Sequence, residues 1–524
     1  MTSPAVDPAA QPDDARWLRR AALLVGAVLA ARLLCIALVP LDLVPDEAYY
    51  WTWSRVPDWC YYSKPPMVAW LIWASTHLLG TTAFSVRLPA ALLNAGMVAA
   101  LFALGRSLFS ARAGFLAALA FALAPGCFAL GMLMTIDPPL LCCWAVALLA
   151  FWRAIQPGAA RAWWPAAGGA VAAGFLSKQM MLVFPVLAVL FLATSRGYRR
   201  VLLGPWFYLF ILIGLCGLAP VLWWNSQHEW VILQHSSQHF KANRHALDFI
   251  ATFFQFIGTQ AAVMSPVLWP LLVVSGMWSL GTFRRQGDSV RFLLMFSMVP
   301  LSCVALMSFR QKILPNWPAV FYLAGCVLGA AWACGFVSCG TLVDKARSLF
   351  VPGLWLGLGF TAIACALLSV VGLTGTGEQL FSKQLSGWKA LGSDVGGVIA
   401  AQPDTNCLLL VAKNRALASE LAFYLPQRPH VYEWPLDVVV YSQYHLWQRS
   451  FDKTNGAYDV LLAWDPRKPV AGLPVETAWF ARVDHVASIT SGARRVELYR
   501  GRALSNWRQM TYHLPAPDRH AQPR

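Results

Sequence analysis

Charge is scarce in this chain. Only 13% of its 524 residues are Asp, Glu, Lys or Arg, against 58% hydrophobic, and mean hydropathy is +0.52. A soluble protein of this length needs far more ionised surface, so that class is excluded. Acids are the scarcer sign, 25 against 41 Lys and Arg. No internal repeat is detectable, which argues against the repeated units on which many transporters are built. No glycine-rich phosphate fingerprint follows the first strand pattern of the C-terminal third, so nucleotide binding has no support. CxxC and Cys/His metal spacings are also missing. Most of the 12 cysteines lie in apolar runs, where cysteine behaves as a small hydrophobe. Only Cys60 and Cys407 fall in external regions, and a disulfide between them is the less favoured reading. No small-residue cleavage pattern follows the first apolar run, which reads as a signal anchor.

What the chain has instead is a series of apolar runs of about 20 residues, the length a helix needs to cross roughly 30 Å of hydrocarbon. They fall near residues 21–38, 88–109, 113–132, 139–154, 165–176, 180–193, 202–224, 256–280, 292–307, 317–336 and 352–373. The expected fold class is a polytopic α-helical membrane protein of about eleven spans. Alternate connections carry Arg16, Arg19 and Arg20; Arg106 and Arg112; Arg153 and Arg161; Arg196, Arg199 and Arg200; Arg284, Arg285 and Arg291; Lys345 and Arg347. The positive-inside rule makes these cytoplasmic, and accounts for much of the +16 net charge without nucleic acid as a partner. An odd span count then puts the N-terminus inside and the C-terminus outside. Arg32, within the first span, is costly at mid-bilayer and is expected to face protein or snorkel.

The expected organisation is a cytoplasmic tail at 1–17, a membrane domain at 18–375 with its first external loop at 41–80, an extracytoplasmic α/β domain at 376–503, and a flexible tail at 504–524. In the α/β region, strand patterns at 407–412, 431–434, 458–464 and 496–499 alternate with a helical pattern at 416–425. About 125 residues can bury a core of their own.

Residues 44–70 are the stretch around which the rest is organised. They open with Asp46 and Glu47, close with Ser63-Lys64-Pro65-Pro66, and hold Tyr49, Tyr50, Trp51, Trp53, Trp59, Tyr61 and Tyr62 between. Such rings suit a lipid–water boundary, as an interface belt or a sugar platform. The segment 67–79, opened by two prolines, reads as a helix along the outer surface. By sidedness, Asp137, Lys178, Arg310 and Lys312 also fall at outer span ends. Lysine and arginine suit a phosphate. A carboxylate suits a base that takes a proton from an attacking hydroxyl. A lipid phosphate leaves as an anion and needs cations more than an acid. One base and several cations are enough for sugar transfer, provided that they meet in one outward-facing cavity.

These residues resemble a family. Asp46-Glu-Ala-Tyr-Tyr50, Lys64-Pro-Pro66, Asp137-Pro138, Leu176-Ser-Lys178, Trp223-Trp-Asn225 and Pro315-Asn-Trp-Pro318 are similar to the bacterial branch of the C-type membrane glycosyltransferases. These are akin to the protein O-mannosyltransferases and the aminoarabinose transferase that modifies lipid A. Glu420-Leu-Ala-Phe-Tyr-Leu425 is typical of one subgroup. The resemblance implies a glycosyltransferase of the bacterial inner membrane that uses a polyprenyl-phosphate sugar donor and a hydroxyl of an envelope glycolipid, glycan or protein, with inversion. It implies that Asp46 is the base or orients the acceptor, that Glu47 supports it or helps hold a divalent ion, and that Asp137 is the second catalytic acid. Lys64, and with it Lys178, Arg310 and Lys312, would bind the donor phosphate. Ser63 stands where the lipid A branch tends to have an acid that can ligate metal, so no metal site and no obligate cofactor is assigned, although a divalent ion fits the family.

Each assignment has a structural competitor. Asp46 and Glu47 suit a helix N-terminus, and Asp137 before two prolines suits a turn. His235 and His239 are spaced to share a helix face, with a solvated loop the simpler home. A lipid-linked-sugar transporter or flippase, and a non-catalytic lipid-binding scaffold, are the competing functions. Ionisable groups gathered at one face favour the enzyme over a transporter, whose groups lie near the midplane.

Overall fold

In the computed structural model, residues 12–39, 41–237, 246–374, 385–402, 408–434, 440–448, 458–464, 480–492 and 494–504 are described. His239, Cys407 and the tail beyond 504 lie outside them. The chain forms two compact units. One comprises residues 1–35, 88–220 and 240–365; the other comprises 36–87, 221–239 and 366–524.

The first unit is helical. Across the described residues of the whole chain, five helices are long and apolar enough to span a bilayer: Asp14–Leu38, Ala83–Leu108, Pro205–Gln227, Asp288–Ser308 and Gly340–Leu367. Two bent pairs raise the number to seven. Ala111–Ala122 and Pro125–Met132 meet at 71°, and Phe249–Met264 and Leu268–Gly281 at 112°. Apolar runs at 113–132 and 256–280 had read as unbroken spans. Proline explains both breaks: Pro125 starts a new helix at its first position, and Ser265 before Pro266 takes φ 117°. The runs at 165–176, 180–193 and 317–336 become helices of 13, 12 and 15 residues, Trp163–Phe175, Val183–Thr194 and Ala319–Ala333, so the eleven runs do not map onto eleven long helices. Ala319–Ala333 is buried on every side. An all-round apolar helix of that kind is a core element as readily as a span.

Aromatic rings fill this core. Trp144 meets Phe184 edge-on at 5.2 Å, and Phe184 lies 4.8 Å from Phe296. Helices Ala83–Leu108 and Ala111–Ala122 touch backbone to backbone at glycines. A Cβ on Gly114 would lie 2.3 Å from the Phe102 carbonyl oxygen. Small residues permit that approach. Arg32 is buried against protein, its guanidinium 4.3 Å from the Phe128 ring, as its mid-span position requires.

The second unit combines the first external loop with a mixed sheet. Its strands are β1 (Leu408–Ala412), β2 (Val431–Glu433), β3 (Asp459–Trp464), β4 (Arg482–Ser491) and β5 (Arg494–Arg502), in the order β2-β1-β3-β5-β4. β1 pairs parallel with β2 and β3, while β5 runs antiparallel to β3 and β4. Helices Trp388–Ala400 and Arg415–Tyr424 belong to the same unit. β4 carried no clear sequence signal. Only two of its ten residues are buried, so its apolar periodicity is weak.

Candidate active site

The Pro45–Ser54 helix starts where its sequence says it should. Pro45 occupies the first position, and Glu47 reaches back so that Oε2 accepts the Val44 N–H at 3.1 Å. The two neighbouring acids then part company. Glu47 is fully buried and faces Arg87, whose Nη2 and Nε donate to it at 2.7 and 3.0 Å. Arg87 also donates to the carbonyls of Leu41 at 3.0 Å and Asp42 at 2.7 Å. One buried ion pair therefore ties the chain entering the helix to its first turn. Asp46 points the other way. Its side chain is 53% exposed, and Oδ1 accepts from Arg415 Nη1 at 3.0 Å.

The aromatic residues of this loop are core, not belt. Tyr49, Tyr50, Trp51, Trp53, Tyr61 and Tyr62 are buried, and Trp59 alone of the seven is exposed. Trp53 stacks on Tyr61 at 4.6 Å and Tyr49 on Tyr444 at 5.7 Å. Hydrogen bonds complete the fit. Gln443 N–H donates to Tyr49 Oη at 2.6 Å, Tyr62 N–H to Gln443 Oε1 at 2.6 Å, and Tyr62 Oη–H to the Val440 carbonyl at 3.1 Å. Buried tyrosines need such partners for their hydroxyls. Asp58 accepts from Trp224 Nε1 at 2.8 Å, and Asn225 Nδ2 donates to the Val221 carbonyl at 2.8 Å, so the Trp-Trp-Asn motif braces the same loop. Lys64 is half-buried at the loop's end, where its carbonyl accepts the Tyr61 N–H at 3.1 Å. Burial pushes the Cys60 thiol up to about 12, which makes it a packing group and not a nucleophile.

In the helical unit, three sequence motifs converge on one carboxylate. Asp137 opens the Asp137–Ala154 helix and is buried. Its Oδ1 accepts from Lys178 Nζ at 2.8 Å and its Oδ2 from Asn316 Nδ2 at 2.7 Å. Lys178, expected on a phosphate, thus neutralises an acid. Arg310 and Lys312 are exposed. The structure places Asp46, Glu47 and Lys64 in one unit, and Asp137, Lys178, Arg310 and Lys312 in the other. His235 lies 5.0 Å from the Tyr62 ring. Among the described residues, no three His, Cys, Asp or Glu side chains stand close enough to hold a metal ion.

With this geometry in view, the similarities to known proteins are specific. Residues 63–224 match the family described as dolichyl-phosphate-mannose-protein mannosyltransferase. Lipid A galacturonosyltransferase RgtD of Rhizobium johnstonii is 27% identical over 406 residues, covering 73% of this chain and 78% of that protein. The crystal structure of ArnT from Cupriavidus metallidurans bound to undecaprenyl phosphate superposes with a TM-score of 0.60 at 18% identity, covering 92% of this chain and 98% of ArnT. The chain has the fold of ArnT, and over residues 63–224 it resembles the mannosyltransferase family. A mycobacterial arabinofuranosyltransferase, AftD, shares the fold over 93% of this chain and 41% of its own length, with a TM-score of 0.51 at 17% identity.

Three polar residues that meet the candidate acids were not singled out from the sequence. Asn316 stood inside a recognised motif, so a signal existed. Arg87 lies one residue before an apolar run and reads as an ordinary flanking charge. Arg415 follows a strand in the C-terminal region and carries no motif at all.

Proposed function

We propose that this PMT/ArnT-like protein transfers a sugar from a polyprenyl-phosphate donor to a hydroxyl of an envelope glycolipid, glycan or protein on the periplasmic side of a bacterial inner membrane. The observation that carries it is the contrast at the head of the Pro45–Ser54 helix. Glu47 is consumed by Arg87, while Asp46, its neighbour, holds a half-exposed carboxylate with a single partner among the described residues. A base must be reachable by the proton it takes.

In the reaction, the acceptor hydroxyl attacks the anomeric carbon and gives its proton to Asp46. The bond from that carbon to the donor phosphate breaks, its electron pair leaves with the phosphate, and the anomeric centre inverts. Lys64 is the cation proposed for the departing phosphate; for Lys178, Arg310 and Lys312 the same role rests on their sequence motifs and sidedness. Asp137, with Lys178 and Asn316, acts as a positioning acid. Glu47 acts through the loop it anchors.

The relatives support lipid carriers as substrates: ArnT has been seen with undecaprenyl phosphate, and RgtD acts on lipid A. An undecaprenyl-phosphate donor and a lipid A acceptor are therefore the first pair to try. The proposed topology has a cytoplasmic N-terminus and a periplasmic C-terminal domain beyond residue 376, and requires the short apolar helices to cross as well. Mass spectrometry of lipids, envelope glycans and secreted proteins from cells with and without the gene tests the reading, followed by purified protein with a panel of undecaprenyl-phosphate sugars. A glycan difference of one sugar is expected. Identical glycans with altered distribution of a lipid-linked sugar across the membrane would favour a flippase.

A further inference from the structure

We infer that Arg415 is a positioning residue for Asp46, so that the C-terminal region supplies one side of the proton-accepting site. The inference rests on the reading of Asp46 given above and goes beyond it. Arg415 is the first residue of the Arg415–Tyr424 helix, and its root is fixed from two directions. Its backbone N–H donates to Glu433 Oε1 at 2.9 Å, and the preceding Asn414 caps the helix by accepting the Leu417 N–H at 3.0 Å. From that anchored root the guanidinium lies over the Tyr49 ring, 4.9 Å from its centre, and Nη1 reaches Asp46 Oδ1. Tyr49 is itself immobilised by the Gln443 hydrogen bond and the Tyr444 stack. The groups that aim Arg415 are thus themselves anchored by buried or part-buried contacts, while the pair it forms is open to solvent.

Stability does not explain such a construction. Exposed ion pairs contribute about 0–1 kcal/mol, because solvent screens them and two side chains lose freedom. An arginine clamped over an aromatic face has already lost that freedom, so its charge and fork are preorganised. The contact at Oδ1 restrains one oxygen of the carboxylate. No hydrogen bond to Oδ2 occurs among the described residues, and that oxygen is the one left to accept the acceptor's proton. Fixing the base in this way is worth a large factor in rate, since a misplacement of about 1 Å can cost on the order of 100-fold.

The test uses full-length protein in nanodiscs, with total lipid extract from gene-deleted cells as the source of donor and acceptor. Arg415→Ala, Arg415→Lys, Asp46→Asn and the Arg415→Ala/Asp46→Asn double variant are compared. Arg415→Ala is expected to lower turnover about 10- to 100-fold, with the apparent KM for extract within about twofold. Arg415→Lys, which keeps the charge but not the planar fork, should recover only part of the Arg415→Ala loss, and millimolar guanidinium should likewise restore part of it. In the Asp46→Asn background, Arg415→Ala should change nothing further. Wild-type turnover by Arg415→Ala, with Asp46→Asn inactive, overturns this inference and leaves the base in place. An active Asp46→Asn overturns both. A loss in Arg415→Ala that adds to that of Asp46→Asn, unrescued by lysine or guanidinium and matched by a lower melting temperature, also overturns it and assigns Arg415 to the fold.

Discussion

Lys178 Nζ sits 2.8 Å from Asp137 Oδ1, with both side chains buried. Opposite charges at that distance, withdrawn from water, stand or fall together. Breaking a buried pair by removing one partner costs about 3–5 kcal/mol, because the other charge is left uncompensated, while replacing both is far milder. Lys178→Met and Asp137→Leu should each lower the melting temperature of the detergent-purified protein, and the double variant should recover much of the loss. Asn316→Ala, which removes one hydrogen bond to a charged group, should cost about 1.5–3 kcal/mol. Additive losses in the double variant would show that the two residues act separately.

Arg87 and Glu47 make a second buried pair, but with a different job. Arg87 also holds two backbone carbonyls of the chain entering the Pro45–Ser54 helix. Arg87→Met should cost about 3–5 kcal/mol and loosen that entry segment. Limited proteolysis of the detergent-purified protein is the measurement: cleavage between residues 39 and 47 should speed up in Arg87→Met and in Glu47→Ala. Unchanged cleavage in both would argue that the aromatic core alone fixes the loop.

Asp46→Asn should give the opposite phenotype. The side chain is half-exposed and its ion pair is solvated, so the melting temperature should stay within about 2 °C of the parent. Turnover should fall by about 100- to 10,000-fold, the usual contribution of a general base. Activity and melting temperature measured on one preparation separate Asp46 from Glu47, whose loss should lower both.

Glu433 makes stability depend on pH. Burial raises its carboxyl from 4.5 to about 7, opposed by the Ser442 hydroxyl, the Arg415 N–H and the Arg415 charge. His445 Nε2 lies 3.5 Å from its Oε2. Below about pH 4.5 the folded and unfolded chains both hold this proton; between 4.5 and 7 the folded chain alone holds it; above 7 neither does. The stabilising contribution is therefore complete on the acid side and is lost as pH rises through 7, with a ceiling of about 3 kcal/mol. Melting curves from pH 4.5 to 8 should show this decline in the parent and a flatter profile in Glu433→Gln. Parallel profiles would remove Glu433 as the cause.

The sequence by itself determined the class of protein, the candidate acids and much of the C-terminal sheet. Hydropathy, proline and strand alternation act over a few neighbouring residues, so runs such as 431–434 and 458–464 could be read directly and became β2 and β3. It also marked Asp137, Lys178 and the Asn316 motif, though without joining them. Only the tertiary structure decided which charge meets which. Asp46 and Glu47 are adjacent in the chain, yet one pairs with Arg415, 369 residues away, and the other with Arg87, 40 residues away. It also turned six rings that suited a lipid interface into the interior of a folded unit. The physical reason is range: local backbone preference is set by near neighbours, whereas desolvation and ion pairing depend on what distant segments bring to the same few ångströms.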